Sequence, residues 1–501
     1  MRQNKQHSAT AAILMLALSL AHQREAAAAT IEVTTPLDVI ATDGLCSLRE
    51  AIDSANRNMA SSGAAGECAA GAGVDLIRLP AGIFNITRVG VNDDTNATGD
   101  FDILESVTIV GQGPGVSGIN AGGIDRAFDL RAQTGAVVTM EQLGIIGGQA
   151  PAFASGAPRG APRGATSGGG IRVAARTQLL LRHMNFAFNR AGNSGGASND
   201  NPGDGGAIAV EVPPVNITIE DSSFIGNRAS SASANAPSSP NAAGRGGAIF
   251  QAFRTLTIRR TLFENNEAGA GNAAGRRGGE GGAIYALAFT NLQISASSFI
   301  GNRAGIFGGR GGAIAIAVDG QMLLEHVTLS GNRSDDAGGA IYAVDSQARL
   351  RFVTITANTA PSGGAALLTD NRLTMENSVI AGNIGPPGSV DCYIDSTAMA
   401  QINGFNVFGR DGGCIRQGFT DLQVDSPRLS ALDRESGMLP IHHPLDDSPA
   451  LDAAWCTATD TADQRGAVRP QDLPNVTNRG NGCDSGAIER QGDGVFRDSF
   501  E

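Results

Sequence analysis

Lysine is all but missing from this chain. Lys5 is the only one in 501 residues, and every other cationic side chain is an arginine. An imine- or amine-based mechanism in the body of the protein is thereby excluded. Aromatic residues make up only 5%, with one tryptophan and three tyrosines, so stacking platforms are few. The six cysteines avoid the middle of the chain, and none stands in a Cys-x-x-Cys pair, which removes the usual zinc spacing. A net charge of −12 argues against nucleic acid as a partner. Long apolar runs are absent after residue 21, so nothing later offers a membrane-spanning helix.

What the chain has in excess is glycine, 68 residues, and much of it falls in a repeat. Gly-Gly-Ala-Ile or a close variant recurs seven times between residues 168 and 383, opening at Gly168, Gly205, Gly246, Gly281, Gly311, Gly338 and Gly363. Each unit closes about twenty residues later on an asparagine: Asn189, Asn227, Asn266, Asn302, Asn332, Asn358 and Asn383. Within one unit the period is two. Ile208 and Val210 alternate with small residues, Ile217 and Ile219 alternate again, and Phe224 leads to Asn227. No tight hairpin signal joins these runs, so each strand must pair with its copy in the next unit. The expectation is an all-β, right-handed parallel β-helix with three strands per coil. Ile171, Ile208, Ile249, Ile284, Ile314 and Ile341 then line the interior, and the seven asparagines stack into a ladder.

The residue after each interior isoleucine should point outward. That file reads Arg172, Ala209, Phe250, Tyr285, Ala315, Tyr342 and Leu367. It predicts an exposed aromatic stripe, Phe250, Tyr285 and Tyr342, beside Arg172, of the kind that stacks on sugar rings. Catalytic chemistry has less to build on. Acids within the repeats do not recur at one position, the pair Asp335-Asp336 falls in a turn, and His183 and His326 stand alone in strand runs. No catalytic residue is assigned. The acidic loop 92–102, with Asp93, Asp94, Asp100 and Asp102, offers the ligand type that calcium takes, on a spacing that matches no EF-hand. Calcium is the one metal considered; the plainer reading of the loop is a solvated turn.

The ends of the chain differ from the middle. Residues 1–29 have a basic start, an apolar run and small residues before the expected cut, the pattern of a secretory signal peptide. In an exported chain six cysteines suggest disulfides, and local pairing, Cys46 with Cys68, Cys392 with Cys414 and Cys456 with Cys483, is the simplest connectivity. Residues 30–73 read as an N-terminal cap, with a helix from Cys46 to about Asn58 that carries Leu48 and Ile52 on one face. Its opening, CSLREAI, resembles the signature of CSLREA-type domains at the front of secreted bacterial β-helix proteins. Residues 74–402 form the β-helix proper. Its units resemble the Gly-Gly-Ala-Ile and Phe-x-x-Asn repeats of polymorphic outer-membrane proteins, which are surface adhesins, and its coil resembles the pectin-lyase-like solenoids.

Residues 403–489 carry four ordered motifs, among them HPLDDSPALDA and CDSGAIE, that resemble the choice-of-anchor Q module. That resemblance implies a module closing the helix, locked by buried ion pairs among Asp452, Arg465, Arg469, Asp484 and Glu489. Residues 490–501 look like a short sorting tail. Together these resemblances imply a secreted or cell-surface, non-catalytic protein that adheres to a glycan, surface or protein partner. The alternative is a carbohydrate-active enzyme, a polysaccharide lyase or glycoside hydrolase.

Overall fold

The computed structural model describes residues 28–152, 166–193, 202–210, 215–232, 243–388, 390–395, 399–412, 414, 420–434 and 439–491. The expected signal peptide up to residue 27, residues 153–165 and the expected sorting tail from residue 492 lie outside these. The described chain is a right-handed parallel β-helix. One coil shows its plan: strands Ile208–Val210, Ile217–Glu220 and Ser223–Ile225 each pair in parallel with the coils before and after. We call the three faces so generated the first, second and third sheets. Elsewhere two strands of a coil run together, as in Ile249–Arg259 and Gln321–Ser330.

Register makes like stack on like. In the second sheet one interior file runs Ile31, Ile77, Ile109, Met140, Leu181, Ile219, Ile258, Ile294, Leu324, Leu350, Met375, Ile402 without a break. The first sheet stacks Ile171, Ile208, Ile249, Ile284, Ile314, Ile341 and Leu367. The third stacks the rings of Phe186, Phe224, Phe263 and Phe299 face to face, with centroids 4.6–4.8 Å apart. Apart from the partly buried Ile402 at the end of the second-sheet file, these residues are buried, and they supply the apolar burial that drives folding.

Between the third and first sheets the chain turns, and there the asparagines lie. Each Nδ2 donates to Oδ1 of the next asparagine at 2.9–3.0 Å, from Asn189 through Asn227, Asn266, Asn302, Asn332 and Asn358 to Asn383. Each backbone N–H donates to that same oxygen, and each Nδ2 also reaches a carbonyl one coil back, as Asn302 does to Phe263 at 2.9 Å. The Gly-Gly corner follows. Gly281 has φ +69°, and a Cβ on it would sit 2.1 Å from the Ile284 carbonyl oxygen; one on Gly282 would sit 2.1 Å from that of Gly312 in the next coil. The last unit is offset by one residue. Gly364, φ +68°, takes the role expected of Gly363, so Leu367 is an interior residue and Leu368 occupies the outward position.

The N-terminal end is covered by a helix, Leu48–Arg57, closed by a Ser47/Glu50 capping box and buried through Leu48, Ala51, Ile52 and Ala55. Arg49 is fully buried beneath it. Asp38 pairs with it at 2.6 Å, and the carbonyls of Asn96, Gly99 and Asp100 take its remaining protons. Disulfides join Cys46–Cys68, Cys392–Cys414 and Cys456–Cys483. Bridges of this kind belong to an oxidising, exported setting.

The C-terminal segment does not simply close the far end. After Leu422–Gln423, its last parallel strand, it folds back along the outside of the third sheet. Ser298 bonds the Pro440 carbonyl, Thr328 bonds Gln464, the Ala487 N–H bonds Thr354, and Arg434 reaches Glu264 at 2.5 Å. Its ion pairs are also fewer than expected. Arg465 pairs with Asp463 and Arg469 with Glu489, whereas Asp452 and Asp484 accept backbone N–H groups instead. No helix among the described residues is long and apolar enough to cross a membrane.

Replacing Asn302 by alanine would orphan the Asn266 donors and the Phe263 carbonyl in a dry turn. We expect a loss of about 3 kcal/mol in chemical denaturation. An unchanged denaturation midpoint would show that the ladder carries no stability.

Candidate functional site

The file beside the interior isoleucines continues well beyond the repeats. It runs Asp102, Asp129, Arg172, Ala209, Phe250, Tyr285, Ala315, Tyr342, Leu368, Tyr393 along the outside of the first sheet. Phe250, Tyr285 and Tyr342 do point away from the interior. They are not an exposed stripe, however: 6%, 4% and 8% of their surface remains accessible. The cover comes from the residues just before each Gly-Gly, which stack coil on coil as Asp204, Arg245, Glu280 and Arg310. Arg245 lies over both Phe250 and Tyr285, 5.0 and 4.6 Å from their centroids, and pairs with Asp204 at 2.9 Å. Arg310 lies over Tyr342, donates to its hydroxyl at 2.6 Å and pairs with Asp336 at 2.7 Å. Alternating charge thus roofs the rings. Arg172 is not part of that roof. It is held by Asp129, with Ala209 between it and Phe250.

The roof has the ingredients of chemistry in a closed form. Burial pushes the Glu280 carboxyl up, against the pull of Arg310, Arg245 and Arg277. Burial likewise pushes the Tyr285 and Tyr342 hydroxyls up, so neither is poised as a base. His326 stacks on Phe352 at 5.1 Å, and burial holds its pKa down at about 4. His326 lies apart from the roof, on the strand Gln321–Ser330.

The acids of loop 92–102 are dispersed in the same way. For Asp93, burial raises the pKa, but the Thr95 hydroxyl and the N–H groups of Thr98, Ala97 and Thr95 outweigh it and bring the value to about 2. Asp100 pairs with Arg126 at 3.1 Å. Asp94 and Asp102 instead meet Asp129 of the next coil, with one oxygen from each within 4.8 Å of the others. Arg131 bonds Asp94 and lies 3.6 Å from Asp129, which Arg172 also holds, so arginine already neutralises two of the three carboxylates. Asp102 is fully buried. One of its oxygens accepts from the Asn96 N–H at 2.8 Å and the other has no hydrogen-bond partner.

Among the described residues an open surface lies elsewhere, on the second sheet. Outward residues Asn291, Gln321, Gln347 and Arg372 occupy one file, and Gln293, Leu323, Arg349 and Thr374 the next. They line a depression of about 350 Å³. The side-chain amides of Gln293, Gln321 and Gln347 make no hydrogen bond to any described residue, in contrast to the saturated amides of the buried ladder. Arg349 leans on Glu376 at 3.4 Å, and Arg372 has no ion pair among the described residues. Vacant donors and acceptors on successive rungs are suited to a ligand rich in hydroxyls. The signal was present as polar residues at alternate positions, but nothing marked that face as the uncovered one.

Asp102 yields a pH test. Burial raises its pKa to about 7, above the ordinary 3.8, so the folded state favours the protonated form. The associated stability is full below about pH 4 and is lost as pH rises through about 7. In urea titrations the advantage of Asp102→Asn over the parent should therefore grow between pH 5 and pH 8. A constant difference would contradict the assignment.

Comparison with known families finds a match within the repeats. The Chlamydia polymorphic membrane protein repeat family matches residues 260–287 and 326–344. Each segment contains one ladder asparagine, Asn266 or Asn332, and one Gly-Gly corner, Gly281-Gly282 or Gly338-Gly339. No curated protein sequence matches the chain. Among solved structures, the A-module of Azotobacter vinelandii mannuronan C-5 epimerase AlgE4 is similar at 14% identity, over 75% of this chain and 92% of its own, with a TM-score of 0.33. ORF18 of Geobacillus virus E2 is similar at 11% identity, over 68% of this chain and 56% of its own, with a TM-score of 0.27. In its repeats, then, this chain is similar to the polymorphic membrane protein family.

Proposed function

We propose that this is a non-catalytic, exported β-helix protein that acts at the cell surface or in the surrounding medium by binding a glycan. One observation carries the reading: the uncommitted amides of Gln293, Gln321 and Gln347 in the depression on the second sheet. Amides both donate and accept, which matches vicinal hydroxyls, and repetition at about 4.8 Å per coil suits an extended chain lying along the axis. The family match supports a surface role, and the disulfides support export.

A carbohydrate-active enzyme is the second reading, favoured by Glu280, a roof residue whose carboxyl is pushed up by burial and lies among arginines and near Tyr285 and Tyr342. The two readings separate in one experiment. The full chain is applied to a glycan array and to soluble polysaccharides, with assays for new reducing ends and unsaturated uronates. Binding without product is expected, weakened about tenfold in Gln321→Ala/Gln347→Ala. Product that disappears in Glu280→Gln would establish the enzyme instead. Absence of binding by the parent, or binding unchanged in the double variant, would remove the amide face from consideration.

A further inference from the structure

The ladder fixes a second surface. Each ladder asparagine is buried, so the residue after it faces out, and these residues bridge coil to coil in one file, which opens with five charged residues, Arg190, Arg228, Glu267, Arg303 and Arg333, and continues as Thr359 and Ile384. At about 4.8 Å per rung the five span about 19 Å in a straight line. Four are arginines and one is a glutamate, so the file carries a net charge of +3 on a chain whose total is −12. Glu267 lies between Arg228 at 3.4 Å and Arg303 at 3.9 Å and is shared by both. The outer two, Arg190 and Arg333, are exposed and have no ion pair among the described residues.

An aromatic ring stands at one end. Phe188, two residues before Arg190, is 64% exposed. It lies over Gly226 of the next coil, where a Cβ would come within 2.9 Å of the ring. A large apolar side chain held open to water beside a line of guanidiniums is a stacking platform beside an anion track.

We infer that this file is a binding track for a linear anionic polysaccharide, lying along the helix axis with its carboxylate or sulfate groups on Arg190, Arg228, Arg303 and Arg333 and a sugar face on Phe188. Charge complementarity supplies the attraction. The file is straight and one residue wide, which fits a single extended strand rather than a broad anionic surface. A single ring provides for one sugar, whereas single-stranded nucleic acid is held by a series of platforms. This site is separate from the amide face and does not depend on it.

The test uses the full chain on immobilised heparin, as a sulfated probe, and on immobilised polygalacturonate, as a carboxylated one, with single-stranded DNA in parallel. Retention at low salt that falls as salt rises is expected on at least one of the two polysaccharides, and which one identifies the anionic group. Arg190→Glu/Arg333→Glu changes the file from +3 to −1 and should lower affinity about tenfold or more, with an unchanged melting temperature because both side chains are exposed and unpaired. Glu267→Gln should raise retention. Gln321→Ala/Gln347→Ala should leave it unchanged, so that failure of the amide face and failure of the track are told apart. No retention of the parent on either polysaccharide, insensitivity to the charge reversal, or tighter binding of the DNA would each overturn the inference.

Discussion

The structure depends on one hydrogen-bond relation, repeated: an asparagine whose side-chain oxygen accepts both the backbone N–H and the amide of the asparagine one coil earlier. This relation runs in one direction, so it must end on a group that only accepts. Asp391 is that group. Its Oδ1 takes the Asn383 N–H at 2.8 Å and Nδ2 at 2.9 Å. At the other end the Gly148 N–H donates to Asn189. The last coils repeat the ending, with Asn406 donating to Asp421. A buried amide chain with both ends satisfied removes the desolvation cost that unpartnered polar groups would impose.

That relation decides where every neighbouring side chain goes. With the asparagine turned in, the phenylalanine three residues before it stacks in the interior and the residue after it faces water. The same lock holds the Gly-Gly corner in phase, and with it the isoleucine file. A solenoid built this way is close to one-dimensional, because each coil is specified mainly by the coil before and the coil after. Its surface is then a set of straight files. Some are roofed, as by Arg245 and Arg310. Some are packed over, as where the C-terminal segment covers the third sheet. The second sheet and the arginine track remain open.

The sequence made the coil legible because the signal is periodic: the spacing of Asn227, Asn266 and Asn302 implies register without any knowledge of contacts. The direction of Phe250, Tyr285 and Tyr342 was legible for the same reason. Their burial was not, because it depends on Arg245 and Arg310, which lie 41 and 26 residues from their acid partners Asp204 and Asp336 in neighbouring coils. The slip from Leu367 to Leu368 has a local cause. Gly363-Gly364 is followed by two alanines, and only the backbone shows that Gly364 makes the turn while Ala365 stands where the second glycine usually does. The return of the C-terminal segment had no periodic signal at all. Contacts such as Ser298 with Pro440 join positions whose types say nothing about each other.

Amide hydrogen exchange, resolved by residue, tests the lock most directly. The backbone N–H groups of Asn227, Asn266, Asn302 and Asn332 should be among the slowest in the chain and should exchange only through global unfolding. Exchange at those four positions as fast as in the exposed turns would contradict the account.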